Sequence, residues 1–322
     1  MTKKNEQIGN SRRDFLKNSA MLASLLAMKP ISSYSYFNEQ ENGKVRQGKM
    51  HGIQIGAVSF VDEGVENVLD FLQKEVNINT LFITVFTYGR GLAGRQIPGH
   101  PMPDHGSQVS DESTYHGGNY AMSHPKFYAR TVLKETRAPE HGDFDVLAAV
   151  LPEAKKRGMK VFASVEDQWR QDVPGLSNLR EYDLYGRRAN TLCLFNPDVK
   201  EFWTALVADL CSSYPIDGIL FFNERNGPFL SALGASHFQS IDSSRATCFC
   251  EHHRKAAEAY GLDFKRVTEG YRKLDIFVQK ALKDIRPSDG YYVEFQRLLL
   301  DYPEITAYDE LFDLAKHQIL KD

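Results

Sequence analysis

The sequence has no apolar run long enough to cross a bilayer, which takes about 20 residues. The stretch Ala20-Met21-Leu22-Ala23-Ser24-Leu25-Leu26-Ala27-Met28 is too short, and nothing after it is longer and comparably apolar. The nucleotide signatures are missing as well. No G-x-G-x-x-G follows a β-rich run, Gly89-Arg90-Gly91 is too short a match, and there is no P-loop or nucleophile-elbow serine. A basic excess is lacking too, with 39 Lys and Arg against 42 Asp and Glu, which argues against a nucleic-acid partner. Cysteine is scarce: Cys193, Cys211, Cys248 and Cys250.

What is present begins at the N-terminus. Ser11-Arg12-Arg13-Asp14-Phe15-Leu16-Lys17 matches the twin-arginine export consensus, with Lys3 and Lys4 before it and the short apolar stretch after it. Residues 1–34 therefore read as a twin-arginine signal peptide, implying the twin-arginine translocase as partner and a periplasmic or secreted product. No clean A-x-A site follows, so cleavage falls only somewhere near Ser32 to Tyr36. No cysteine follows the apolar stretch, so lipidation is not expected. Without the leader, 33 basic and 40 acidic residues remain, a mildly acidic balance suited to solubility. This route exports chains already folded in the reducing cytoplasm, so a disulfide framework is not expected.

Residues 35–50 read as a polar linker, and 51–322 as one β/α domain. His51–Phe60 is β-rich, and 63–76 carries Val65, Val68, Leu69, Leu72 and Val76 at helical spacing. Ile78–Tyr88 is nearly continuous in apolar and β-branched residues, as in a strand covered on both faces. Asp143–Arg157 reads as a helix ended by Gly158, Met159–Glu166 as a third strand, and Asn196-Pro197 as the cap and first turn of a helix running to about Ser213. Ile216–Asn223 is the fourth strand. Four such repeats predict parallel strands with right-handed crossovers, and their regularity suggests a (β/α)8 TIM-type barrel. Then the alternation stops: 251–260, 264–285, 291–300 and 304–320 all read as helices. The expectation is the N-terminal half of a barrel, about four β-α units plus C-terminal helices, truncated from a longer protein.

In such a fold the active site lies at the carboxyl ends of the strands. The fourth strand runs out into Asn223-Glu224-Arg225, and the third into Glu166-Asp167 with Trp169 just beyond. Glu224 is the candidate general acid/base, Asn223 a donor to a sugar hydroxyl, and Arg225 a residue ordering the site. Glu166 and Asp167 are candidates for hydroxyl binding, and Trp169 for a sugar platform. The long segment 89–142 holds eight of the 23 glycines, five of the 13 prolines and five of the ten histidines. There and just before it, Tyr88, Tyr115, Tyr120 and Tyr128 could stack on sugars, and His100, His105 and His116 could donate to hydroxyls. Arg187-Arg188 reads as a solvated loop pair. Cys248-x-Cys250-x-x-His253 has zinc-like spacing, with Cys193 or His252 as a fourth ligand. Buried free cysteines beside a helix start are the plainer expectation.

A series of segments carries a resemblance: Asp183-Leu184-Tyr185-Gly186-Arg187, Cys193-Leu194-Phe195-Asn196-Pro197-Asp198-Val199, Asp217-Gly218-Ile219, Glu224-Arg225-Asn226-Gly227-Pro228 and Cys248-Phe249-Cys250-Glu251-His252-His253. In this order they resemble the uncharacterised exported glycoside-hydrolase-like proteins of bacteria, similar in turn to the barrel β-galactosidases. Asn226 departs from a usual Gln and His253 from a usual third Cys. The resemblance covers roughly residues 51–310. It implies a carbohydrate substrate, a two-carboxylate retaining mechanism with Asn-Glu after the fourth strand, and a structural metal in a cysteine cluster. The second carboxylate would arise on a seventh strand, which this sequence does not reach. A metal-dependent sugar isomerase or epimerase barrel and a non-catalytic glycan-binding protein are the alternatives.

Overall fold

The computed structural model describes residues 49–88, 117–134, 136–139, 141–166, 175–222, 226–234 and 242–321. A mixed α/β unit occupies the first two thirds. Strand β1 (Gly52–Gly56) is followed by the short helix α1 (Ala57–Glu63) and by α2 (Val65–Lys74). Next come β2 (Thr80–Tyr88), the short β3 (Gly117–Asn119), α3 (Val146–Lys156) and β4 (Lys160–Glu166). A hairpin of β5 (Arg180–Tyr182) and β6 (Arg188–Leu192) precedes α4 (Pro197–Ser213) and β7 (Gly218–Phe222). The order across the main sheet is β1-β2-β4-β7, all parallel, with β3 antiparallel on β2. These are the four expected parallel strands in their expected order. Among the described residues the sheet is open, with β1 and β7 at its edges, and no closed barrel is present.

Alternation along the strands separates two faces. Leu81, Ile83, Val161, Ala163 and Val165 are buried on one face against α2, α3 and α4, whose Leu69, Leu147, Phe202, Trp203 and Leu206 are also buried. On the other face Phe82 and Phe162 stack, with ring centroids 5.3 Å apart. A methyl added at Gly52 would lie 2.6 Å from Phe82, and one at Gly218 2.9 Å from Phe162. Both edge strands thus use glycine where the rings need room.

The helix signals act as their chemistry predicts. The Asp145 carboxylate accepts from the Leu147 and Ala148 amides at the start of α3, and Gly158 closes it at φ +67°. The Asn196 side chain accepts from the Asp198 amide, with Pro197 in the first turn of α4. Two expectations need correction and a third needs an addition. The β-rich run from His51 yields only five strand residues, and Ala57–Glu63 turns helical. Helix α2 ends at Lys74, which leaves Val76 45% exposed. Arg187 and Arg188 are exposed, as a solvated loop pair should be, but Arg187 is also held: its Nε donates to Asp183 at 2.6 Å and its Nη2 to Ser244.

The last third is helical: α5 (Pro228–Ala232), α6 (Glu251–Ala259), α7 (Phe264–Leu282), α8 (Tyr291–Asp301) and α9 (Glu304–Lys321). These helices build a second core around Tyr271, Leu274, Ile305 and Tyr308. No described helix is long and apolar enough to cross a membrane. Within α2, Leu69 is fully buried whereas Phe71 is 59% exposed. Leu69→Ala should therefore cost about 2–5 kcal/mol in urea unfolding, and Phe71→Ala less than about 0.5 kcal/mol.

Candidate functional site

The parallel strands place their carboxyl ends along one edge of the sheet. Glu166, the last residue of β4, is there joined by two neighbours. Gln54 Nε2 of β1 donates to its Oε1 at 3.4 Å, and the Thr87 hydroxyl of β2 donates to its Oε2. The position of Thr87 follows from an irregularity. Thr84 pairs with Ser164 but Phe86 with Val165, so Val85 is an extra residue in β2. Such a bulge re-aims the side chains beyond it. Phe86 turns to the helices, packing on Phe202 and Trp203, and Thr87 moves onto the face of Glu166.

Glu166 pairs in register with Phe222 of β7, and Glu224 lies two residues further along the chain. Glu224, Asn223, Arg225, Asp167 and Trp169 fall outside the described residues, as do Tyr115, His100, His105, His116 and the side chain of Tyr88. Beyond this gap the chain is fixed from the far end of the sequence: the Asp309 carboxylate of α9 accepts from the Phe229 amide at 2.9 Å. Tyr120 and Tyr128 are each only 2% exposed and belong to the sheet core, so they do not present a stacking surface to a sugar. Their spacing in a glycine-rich segment hid the fact that β3 draws that stretch back onto β2.

A second constellation is sharper. One ligand atom each from Cys193, Cys248, Cys250 and His253 lies within 4.8 Å of the others, and all four residues are buried. Cys193 Sγ is 3.4 Å from Cys250 Sγ and 3.2 Å from His253 Nδ1, and Cys250 Sγ is 3.5 Å from the same nitrogen. Cys193 follows β6, Cys250 caps α6, and His253 sits in the first turn of α6. Cys193 is thus the fourth member. His252 turns aside to the Asn196 side chain, at 3.3 Å.

Burial pushes the thiols of Cys193 and Cys248 up. Hydrogen bonds from Cys193, Cys248 and then His253 hold Cys250 well below the usual thiol range. The Tyr182 amide donates to Cys248 Sγ at 3.4 Å. His253 Nε2 is buried without a hydrogen-bond partner among the described residues. The ring is positioned by Phe195, edge-on at 4.6 Å, and by Phe312, stacked at 5.8 Å. Close by, the buried Glu181 carboxylate accepts from Thr191 at 2.6 Å and from Thr247 at 2.8 Å.

This donor set suits a tetrahedral divalent metal. Zinc bound by sulfur at about 2.3 Å and nitrogen at about 2.0 Å needs ligand atoms roughly 3.5–3.8 Å apart. The three separations above lie within a few tenths of an ångström of that. Four protein donors leave no open position, which is the pattern of a structural site.

No family model matches the chain, and no curated protein matches it. Solved structures similar to it include α-L-fucosidase isoenzyme 2 from Paenibacillus thiaminolyticus, at 15% identity and TM-score 0.42, covering 74% of this chain and 30% of that one. Another is a GH20 exo-β-N-acetylglucosaminidase from Vibrio harveyi in complex with N-acetylglucosamine, at 13% identity and TM-score 0.36, covering 70% and 34%. Both are glycoside hydrolases, and the chain spans about a third of the length of each.

Burial distinguishes the cysteines, since Cys211 alone among the four is exposed. A thiol-reactive dye should modify one cysteine rapidly in the native metal-free protein and four after denaturation. Two or more fast thiols would contradict the packing of the cluster.

Proposed function

We propose that the protein is a carbohydrate-active β/α protein that in full-length form hydrolyses glycosidic bonds by a two-carboxylate retaining mechanism with Glu224 as acid/base, and that a structural zinc occupies the Cys193, Cys248, Cys250 and His253 cluster. The observation that carries the catalytic part is the parallel order β1-β2-β4-β7. It brings Glu166 to the carboxyl edge of the sheet, and Glu224 follows the strand paired beside it. A carboxylic acid at such a strand end can protonate a leaving glycosidic oxygen if its pKa is raised. Asn223 beside it supplies a donor for a sugar hydroxyl, and Arg225 orders the loop. Glu166 is itself held by Thr87 and Gln54, so its assigned role is to accept from substrate hydroxyls, together with Asp167. Trp169 and Tyr88 offer aromatic faces for the sugar ring. A retaining mechanism also requires a second carboxylate about 5 Å from Glu224, acting as nucleophile.

The zinc is supported by the donor chemistry and the spacing of the four side chains. When bound it would supply cross-linking charge rather than catalysis. Its ligands join the start of α4 to the start of α6, which lie on different apolar cores. Export by the twin-arginine route is supported by Ser11–Lys17 and agrees with it, because a chain folded before export acquires metal while its thiols are reduced.

Two experiments test this reading. On a panel of nitrophenyl glycosides, Glu224→Gln should lower kcat by about 10²–10⁴-fold, whereas Glu166→Gln should act mainly on KM. Unchanged turnover in Glu224→Gln would remove that residue from catalysis. Elemental analysis should find one zinc per chain, and much less in Cys193→Ser. Loss of a contribution of about 3 kcal/mol should lower Tm by about 6–12 °C, and full stability after chelation would refute the structural role.

A further inference from the structure

Beside the cysteine cluster lies a half-open cleft of about 410 Å³, between the β5–β6 hairpin and the starts of α4 and α6. Its volume suits a ligand of monosaccharide size. Arg180 is the only arginine or lysine in its lining. Arg180 Nε is buried without an acceptor, and among the described residues its guanidinium makes no hydrogen bond or ion pair. Its neighbours are not in that condition. Arg187 is tied to Asp183 and Ser244, and Arg188 to Tyr182 and Ser177. The Arg180 side chain is half-buried in the cleft wall, with its Nε out of reach of water and unpaired among the described residues, an arrangement that an anionic ligand would complete.

We infer that this cleft is a binding site for the carboxylate of a small polyhydroxylated ligand, a uronic acid sugar, with Arg180 as its anchor. The planar fork of one arginine matches a carboxylate. A dianionic phosphate fits less well, because the cleft holds a single strong cation. The Glu251 carboxylate lies at its wall, and Cys193 and Cys250 form part of its lining. The remaining groups suit hydroxyls and a sugar face. Asn178 is exposed, Asn196 and His252 form a hydrogen-bonded pair, and Phe249 and Tyr182 contribute half-buried rings. Phe249 is rigidly backed, stacked on Tyr308 at 5.5 Å and edge-on to Tyr271 at 5.1 Å. The carboxylate follows from Arg180 alone. The sugar as its carrier rests on the carbohydrate reading above.

The test is calorimetric titration of the full chain, carrying Glu224→Gln so that turnover does not interfere, with galacturonate, galactose, acetate and sulfate. Galacturonate should bind, galactose and acetate at least tenfold more weakly, and Arg180→Gln should weaken galacturonate at least tenfold. Asn178→Asp, at an exposed position, should weaken it as well without disturbing the fold, and serves if Arg180→Gln does not fold. Galacturonate binding that both variants leave intact would overturn the site. Equal binding of acetate or sulfate would reveal an adventitious ion only, and overturn it too. Because binding is read without catalysis, an inactive Glu224 and an empty cleft are separate results.

Discussion

Parallel pairing is the constraint on which the rest of this molecule depends. Strands that run the same way must be joined by crossovers, so their carboxyl ends share one edge and the connecting helices cover a face. Helices α2, α3 and α4 do this on the face that buries Leu81, Ile83, Val161 and Val165. Polar residues are consequently pushed to the other face and to the carboxyl edge, where Gln54, Thr87 and Glu166 meet. The bulge at Val85 completes that group. Strict alternation would have sent Thr87 into the helices and put Phe86 beside Glu166, leaving the carboxylate next to an aromatic ring instead of a hydroxyl.

The cysteine cluster solves a different problem. The sheet core and the helical core around Tyr271 and Tyr308 are separate sets of buried side chains. The thiols form a third, small set, with Tyr182 and Phe195 packed against it. Tyr308 reaches back across it, its hydroxyl donating to the Cys248 carbonyl at 2.5 Å. Four donors gathered at such a seam would, with the proposed zinc bound, fix the approach of α6 and α9 to the start of α4 with few atoms. Apolar contacts alone would tolerate sliding there, since they are not directional.

Much of this was readable in the residues, for identifiable reasons. Long signals survived: the apolar run 78–88, the Asn196-Pro197 start of α4 and the periodic helices after 251 all appear within a few residues of their expected ends. Short ones did not. Ala57-Val58-Ser59-Phe60 is apolar enough to extend a strand or to begin a helix, and periodicity over four residues does not decide between them. The β5–β6 hairpin, with strands of three and five residues, leaves almost no pattern. The bulge leaves none, because Val85 is an ordinary strand residue whose register depends on its partner. For the cluster, C-x-C-x-x-H stands in one local segment and was visible. Its fourth member is 55 positions earlier, and choosing Cys193 over His252 required knowing that α4 and α6 start side by side. Tyr120 and Tyr128 show the converse. Their glycine-rich surroundings suggested an exposed loop, yet both rings fill the core.

The histidine in the cluster bears on how the site is held. A metal-binding imidazole ordinarily donates its second N–H to a carboxylate or carbonyl, which sets its orientation and raises its basicity. Among the described residues His253 has no such partner on Nε2, and its ring packs between Phe195 and Phe312. Packing can orient a ring without polarising it, so in the proposed zinc site the thiolates would carry more of the binding than His253. In the empty cluster burial favours the protonated thiols of Cys193 and Cys248, while hydrogen bonds from its neighbours favour the thiolate of Cys250. A divalent cation would displace those protons, because only the thiolate binds it. On the reading that the chain folds before it is exported, the order of events matters. Cys193 and Cys250 would be held apart as ligands if zinc were bound while the cluster is reduced, whereas the empty pair, 3.4 Å apart at sulfur, would meet the oxidising side of the membrane as two thiols within reach of each other.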